Sequence, residues 1–226
     1  MTPAPPLALV RQVDTHRLVP SRHLPRDASV LAAVAADADV AAVLDLDAAT
    51  NDRLLAESQR LPAIGPEELV FAVPNANIVN AAFCHAHPLG ARFSGPERGA
   101  WYAGFELATA QAEVAFHKSV QFAEIGRFDD SVTYDDYLAD FSASFHDLRR
   151  ARGFAACLDP RSYVASQALA ERLLQAGSLG VVYPSVRRRG GTCVACYRPA
   201  LVVNVRRGRT YRFTWHGDPR PTITPI

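Results

Sequence analysis

No apolar stretch in these 226 residues approaches the roughly 20 needed to cross a bilayer. The start, MTPAPPLALVRQVD, lacks the basic end and unbroken apolar run of a secretory leader, so a cytoplasmic protein is expected. Excess charge of one sign is absent as well. The 24 Lys and Arg against 23 Asp and Glu leave a net charge of +1, which gives no global attraction to nucleic acid or an anionic membrane. Any anionic ligand has to be met locally. Cysteine is sparse: the four residues Cys84, Cys157, Cys193 and Cys196 are too few for a disulfide scaffold and suit a reducing compartment. No repeat period is visible and no shift of composition marks a second domain. What is present is 49% hydrophobic content, enough for one large globular unit with a sizeable core.

Two small clusters invite a metal or redox reading. Cys193 and Cys196 form a C-x-x-C, but no second pair accompanies it, and the surrounding TCVACY has the apolar, β-prone character of a buried strand in which cysteine fills space. Cys84, His85 and His87 in FCHAHP stand without a partner cluster and read as local packing and loop polarity. No metal is expected.

Along the chain, a Pro-, Arg- and His-bearing lead-in includes a short strand at LALVRQV. From Asp27 to Arg60, Ala-rich sequence with Val40, Val43, Leu44, Leu54 and Leu55 at helical spacing predicts one or two helices, with Thr50 or Asn51 as a cap. Residues 1–64 thus read as a lead-in and helical extension packed on a core formed by 65–226. Pro62, Gly65 and Pro66 break the chain before ELVFAVP, a β-prone run. RFSGPERG is turn-rich, WYAG is a short strand, and ELATAQAEVAFHKSV is helical, with Thr109, Glu113 and His117 four apart and therefore on one face. Residues 121–141 alternate apolar and polar groups as a strand pair or a loop insertion would. YVASQALAERLLQAGSLG is an amphipathic helix closing at Gly177 or Gly180, followed by the strand VVYPS, the turn RRRGG, TCVACY, LVVNVR and TYRFTW. The fold class that follows is α+β with a mixed, partly antiparallel sheet.

Glu113 sits among apolar helix residues, where a carboxylate is costly unless exposed or employed. The plain alternative is a solvent-facing side chain paired with Lys118 or an arginine. Arg92 in a Gly/Pro turn and Tyr102 beside a tryptophan are equally ambiguous on their own. YPSVRRRGG places Ser185 and three arginines in a turn after a strand, where arginine forks and turn amides suit phosphate oxygens; a plain solvated hairpin is the alternative. A nucleic-acid role for the same arginines and for RRGR at 206–209 lacks a helix-turn-helix, a stacking platform and overall positive charge.

The order RFSGPERGAWYAGFELATAQAEVAFH, then GVVYPSVRRRGG some seventy residues later, resembles the RES domain, a family of bacterial toxins paired with Xre-type antitoxins. The resemblance spans about 65–205. It implies a fold similar to ADP-ribosyltransferases and consumption of NAD by hydrolysis or phosphorolysis, with transfer of ADP-ribose to a protein as the alternative and a non-catalytic binding module on the same fold as a further one. By the same resemblance, Arg92, Tyr102, Glu113 and Ser185 take the family's catalytic positions. Glu113 would stabilise the oxocarbenium-like ribose or hold its hydroxyls. Arg92 and Arg187 would neutralise the diphosphate, Tyr102 would pack near the nicotinamide or its ribose, and Ser185 would orient a ligand oxygen. His117 would serve as a base or as a hydrogen-bond partner of Glu113. An antitoxin occluding the pocket and a homodimer are implied in the same way.

Overall fold

The computed structural model describes residues 3–21 and 64–226. The predicted helices at 27–60, with the cap at Thr50 or Asn51, fall outside the described residues. Seven strands and three helices are present among those described: β1 (Leu7–Pro20), α1 (Ala76–Cys84), β2 (Trp101–Gly104), α2 (Leu107–Glu124), β3 (Asp129–Asp147), α3 (Val164–Gln175), β4 (Gly180–Pro184), β5 (Thr192–Cys196), β6 (Val203–His216) and β7 (Thr222–Pro225). The class is α+β, and the sheet is mixed because β3 pairs with β4 in parallel while every other pairing is antiparallel.

Strand order is β1-β2-β5-β4-β3-β6-β7, and β1 also pairs with β3. That additional pairing closes the first five strands into a ring. β3 makes the closure possible: one edge runs beside β1 from Leu7↔His146 to Pro20↔Tyr134, while the other serves β6 over its first two thirds and β4 at His146 and Asp147. Period-two burial along β3 follows, with Tyr137, Ala139, Phe141, Ala143 and Phe145 facing one buried cluster. α1 caps that cluster with Ile78, Val79 and Phe83. On the other face of β2, β5 and β4, Val181, Tyr183, Cys193 and Ala195 pack on Leu169, Ala170 and Leu173 of α3. Ala110 and Phe122 of α2 close a third cluster with Leu18, Tyr134, Phe213 and Trp215.

Besides β7, a strand the sequence reading does not include, the chain departs from sequence expectation in three places. ELVFAVP is not a strand: Pro66–Glu68 is a 3-10 turn, and both backbone groups of Val70 bond the side chain of Asn80, whose amide accepts from Val70 N at 3.0 Å and donates to Val70 O at 2.8 Å. One buried amide thus takes the place of a neighbouring strand. Residues 121–141 are neither a strand pair nor an insertion but the end of α2, a turn through Gly126 at φ 64, and the first part of the single 19-residue β3. LVVNVR and TYRFTW, read as separate strands, merge into β6.

Cys193 and Cys196 both lie on β5, three residues apart, and so project to opposite faces, into the α3 cluster and the ring cluster respectively. Gly104 allows α2 to start hard against β2, since a Cβ there would stand 2.7 Å from Ala110 N.

A partly buried ion cluster centred on the buried Arg98 ties the loop before α1 to the end of β5. Glu68 accepts both guanidinium arms of Arg98 at 2.8 Å and Arg198 Nη1 at 2.6 Å, while Arg98 Nη2 also donates to Tyr197 O at 2.6 Å. The hydrogen bond from Arg98 is the largest influence holding the Glu68 carboxyl below its usual range. Removing one partner strands a buried charge. Glu68→Ala is therefore expected to lower stability by roughly 3 kcal/mol, read as a reduced denaturant midpoint at unchanged slope.

Candidate active site

The candidate site, here called the cleft for the open side of Glu113, lies where α2 passes the loop joining β4 to β5. Ser185 Oγ donates to Glu113 Oε1 at 2.6 Å. The same oxygen accepts from the backbone N–H of Arg187 at 3.1 Å and of Arg188 at 3.0 Å. A hydroxyl has one proton and two lone pairs, so with both lone pairs engaged its proton goes to the carboxylate. Cys193 Sγ, 3.8 Å from Glu113 Oε1, adds a weak second donor, and burial beside that carboxylate pushes its thiol above the usual range, so it stays protonated. Glu113 is half-buried and, among the described residues, forms no ion pair and accepts no hydrogen bond at Oε2. Lys118, the residue expected to pair with it on the plain reading, donates to Gln121 instead.

The loop is fixed to the first turn of α2 from its other side. Arg188 Nη1 donates to Thr109 Oγ1 at 3.2 Å, Thr109 Oγ1 donates to Glu106 Oε2 at 2.5 Å, and Arg188 pairs with Glu106 at 3.6 Å. Ser185 N–H donates to Gly191 O at 2.9 Å, and a Cβ on Gly191 would fall 2.5 Å from Thr109 Oγ1. The second glycine of RRRGG is thus required by the approach of α2. Of the three face-sharing residues on that helix, Thr109 is buried in this lock, Glu113 meets Ser185, and His117 lies near Arg187 and Arg92.

Arg92 and Arg187 are held by the same device. Arg92 stacks on Tyr163 at 4.7 Å and donates to Cys157 O at 3.2 Å and Asp159 O at 2.8 Å. Arg187 lies 3.3 Å over the Phe116 ring and donates to Pro160 O at 2.7 Å. Carbonyls and ring faces orient both cations without neutralising either, and Arg92 Nη2 and Arg187 Nε are buried with no hydrogen-bond partner. Among the described residues no carboxylate pairs with either guanidinium, an arrangement that can accept a ligand carrying negative charge.

His117 is driven down to about 4 from 6.5, first by burial of its ring atoms, then by Arg187, Arg92 and His87, although its outer edge keeps solvent contact that screens part of the effect. It is therefore neutral at ordinary pH. Tyr102 accepts from Phe93 N at 3.0 Å and shares a hydrogen bond with Ser94 Oγ at 3.0 Å; burial raises its hydroxyl to about 12. Tyr183 is enclosed, and after the dominant effect of burial its hydroxyl is raised by Cys193, Glu113 and Tyr102 and lowered by Arg92. All six residues named from the sequence, Arg92, Tyr102, Glu113, Ser185, Arg187 and His117, thus meet in one neighbourhood. What the sequence did not reveal is the supporting layer of Tyr163, Phe116, Cys193, the Thr109–Glu106–Arg188 lock and the 157–160 carbonyls. Main-chain acceptors leave no composition signal, and TCVACY marks a buried strand without naming the neighbour of Cys193. Among the described residues, no three His, Cys, Asp or Glu side chains gather as a metal-holding group.

The depressed His117 makes stability depend on pH in a defined direction. Its folded value lies below its unfolded value, so acidification protonates the unfolded chain first, and stability present above pH 6.5 is lost as pH falls toward about 4. His117→Gln should flatten the denaturant midpoint over that window relative to the parent, with little difference above pH 7.

No curated protein sequence matches this chain. Among solved structures, a chain of the M. tuberculosis MbcT–MbcA toxin–antitoxin complex is similar at 14% identity and a TM-score of 0.45, over 91% of this chain and 87% of that one. The RES domain model matches residues 69–216. That stretch is well over half of the sequence and holds every residue of the cleft, and the chain belongs to the RES domain family.

Proposed function

We propose that the protein is an NAD-degrading toxin that cleaves the bond between nicotinamide and ribose, and that a partner antitoxin of the Xre type restrains it by occluding the cleft. The observation carrying the reaction is the Glu113 carboxylate, with one oxygen fixed by Ser185 and the other without a hydrogen-bond partner, beside two arginines that pair with no acidic group, all among the described residues. The resemblance of the RFSGPERG and YPSVRRRGG segments to RES toxins supports the same reading. Family membership supports the antitoxin, the homodimer and a cytoplasmic setting, and the cleft geometry bears on none of these three.

Chemically, the C1′–N bond breaks with its electron pair leaving on nicotinamide, which departs neutral because it was bound as a cation. Positive charge appears on the ribose ring, and Glu113 Oε2 stabilises it or holds the ribose hydroxyls. No general acid is required for this leaving group, so a single carboxylate suffices where an ordinary glycosidase uses two. Arg92 and Arg187 meet the diphosphate. His117, kept neutral, contributes a hydrogen bond instead of a third positive charge. An acceptor then adds to C1′ and gives up its proton: water in hydrolysis, phosphate in phosphorolysis, or a protein side chain in transfer. Ser185 is engaged with Glu113, so its part is to orient that carboxylate.

NAD loss by the purified protein should fall by roughly a hundredfold or more in Glu113→Gln, which keeps the shape and the hydrogen bond but not the charge. Products analysed with and without added phosphate identify the acceptor. No NAD loss in the parent would remove the glycohydrolase and phosphorylase readings. Arg187→Gln should raise KM for NAD by roughly tenfold or more, the effect of losing one charge-assisted contact, with kcat changed less.

A further inference from the structure

Beyond the cleft, α2 borders a groove of about 660 Å³ whose other wall is the segment from Pro219 to Ile223, leading into and including part of β7. That volume is within the range of small-molecule sites. Three features give it a chemical identity. Arg187 and Phe116 line the groove and also belong to the cation-bearing cleft, so the two adjoin at the stacked guanidinium. Ala108, Ala112 and Ala115 line it from the helix, and their small size leaves a slot open along the helix that larger side chains would close. Gln111, half-buried in the same wall, makes no side-chain hydrogen bond among the described residues. It is an unused amide facing an apolar slot.

Resting on the dinucleotide reading above, we infer that this groove is the adenosine subsite, with the adenine ring in the alanine slot and its N6 and N7 edge on the Gln111 amide. A ligand with its ribose at Glu113 and its diphosphate on Arg187 has one nucleoside left to place, and the groove begins where Arg187 ends. Gln111 precedes Phe116 by five residues, a rise of about 7.5 Å along the helix, on the scale of one nucleoside. A glutamine amide suits adenine because its oxygen accepts from N6–H while its NH₂ donates to N7. The wall from Pro219 to Ile223 lies beyond residue 216, where the family match ends, so this part of the subsite belongs to this chain's own C-terminal segment.

The test compares NAD with nicotinamide hypoxanthine dinucleotide, in which a carbonyl replaces the 6-amino group, for the parent and Gln111→Ala, and titrates ADP-ribose calorimetrically into the parent, Gln111→Ala and Ala112→Leu. Thermal midpoints confirm that the variants fold, and Gln111→Ala, on the helix surface, covers the case in which Ala112→Leu does not. The parent is expected to show a KM for NAD roughly tenfold below that for the hypoxanthine analogue, Gln111→Ala to lose the preference, and both variants to bind ADP-ribose at least tenfold more weakly. A preference retained in Gln111→Ala with unchanged ADP-ribose affinity overturns the subsite while leaving NAD cleavage in place. ADP-ribose binding that depends on Gln111 in a protein that consumes no NAD upholds the subsite and removes the reaction. A parent that neither consumes NAD nor binds ADP-ribose overturns both.

Discussion

One hydroxyl proton connects the two halves of the cleft. Ser185 accepts from two successive backbone amides of its own loop and donates to Glu113 on a helix 72 residues earlier, so the direction of its single O–H is set by the turn that carries it. That direction decides which carboxylate oxygen is occupied and which is free. The turn in turn depends on Gly191, since any side chain there meets Thr109, and on the Arg188 contacts that hold it to the start of α2. Gly104 performs the matching service on the strand side. The helix is therefore seated closely at two glycines, and the position of Glu113 follows from its seat.

The second organising constraint is charge without countercharge. Arg92 and Arg187 are oriented by ring faces and by the carbonyls of residues 157, 159 and 160, groups that fix direction yet leave the net positive charge in place. The contrast with Glu68 is instructive. There, Arg98 and Arg198 share the one carboxylate of Glu68 as an ion-pair partner and serve the scaffold. The two arrangements differ in the partner: a carboxylate in one, carbonyls and ring faces in the other.

Much of this was legible in the residues themselves. The strands at WYAG, VVYPS and TCVACY, the helices on either side, and the α+β class follow from periodicity and turn residues. The cleft residues could be named because the RFSGPERG and YPSVRRRGG segments carry a recognisable order. Missed features share a physical cause: they depend on partners distant in sequence. ELVFAVP has strand composition, yet Asn80 supplies its hydrogen bonds from the next helix. Residues 129–147 form one strand because β1, β4 and β6 all need an edge to pair with, which no local window can report. Carbonyl groups that orient arginines are identical at every residue, so only the folded chain reveals which ones matter.

The double use of β3 also sets the order in which function can arise during synthesis. β1 emerges first, yet its register partners, from Tyr134 to His146, come far later, and β4 and β5 follow those. Ring closure is thus a non-local event, of the kind that folds slowly because loop entropy is paid before the contacts form. Until the β4–β5 loop has left the ribosome, Glu113 has no Ser185 to meet. A nascent or truncated chain would carry the carboxylate without its orienting hydroxyl, so the site is assembled only when the last third of the chain has been made.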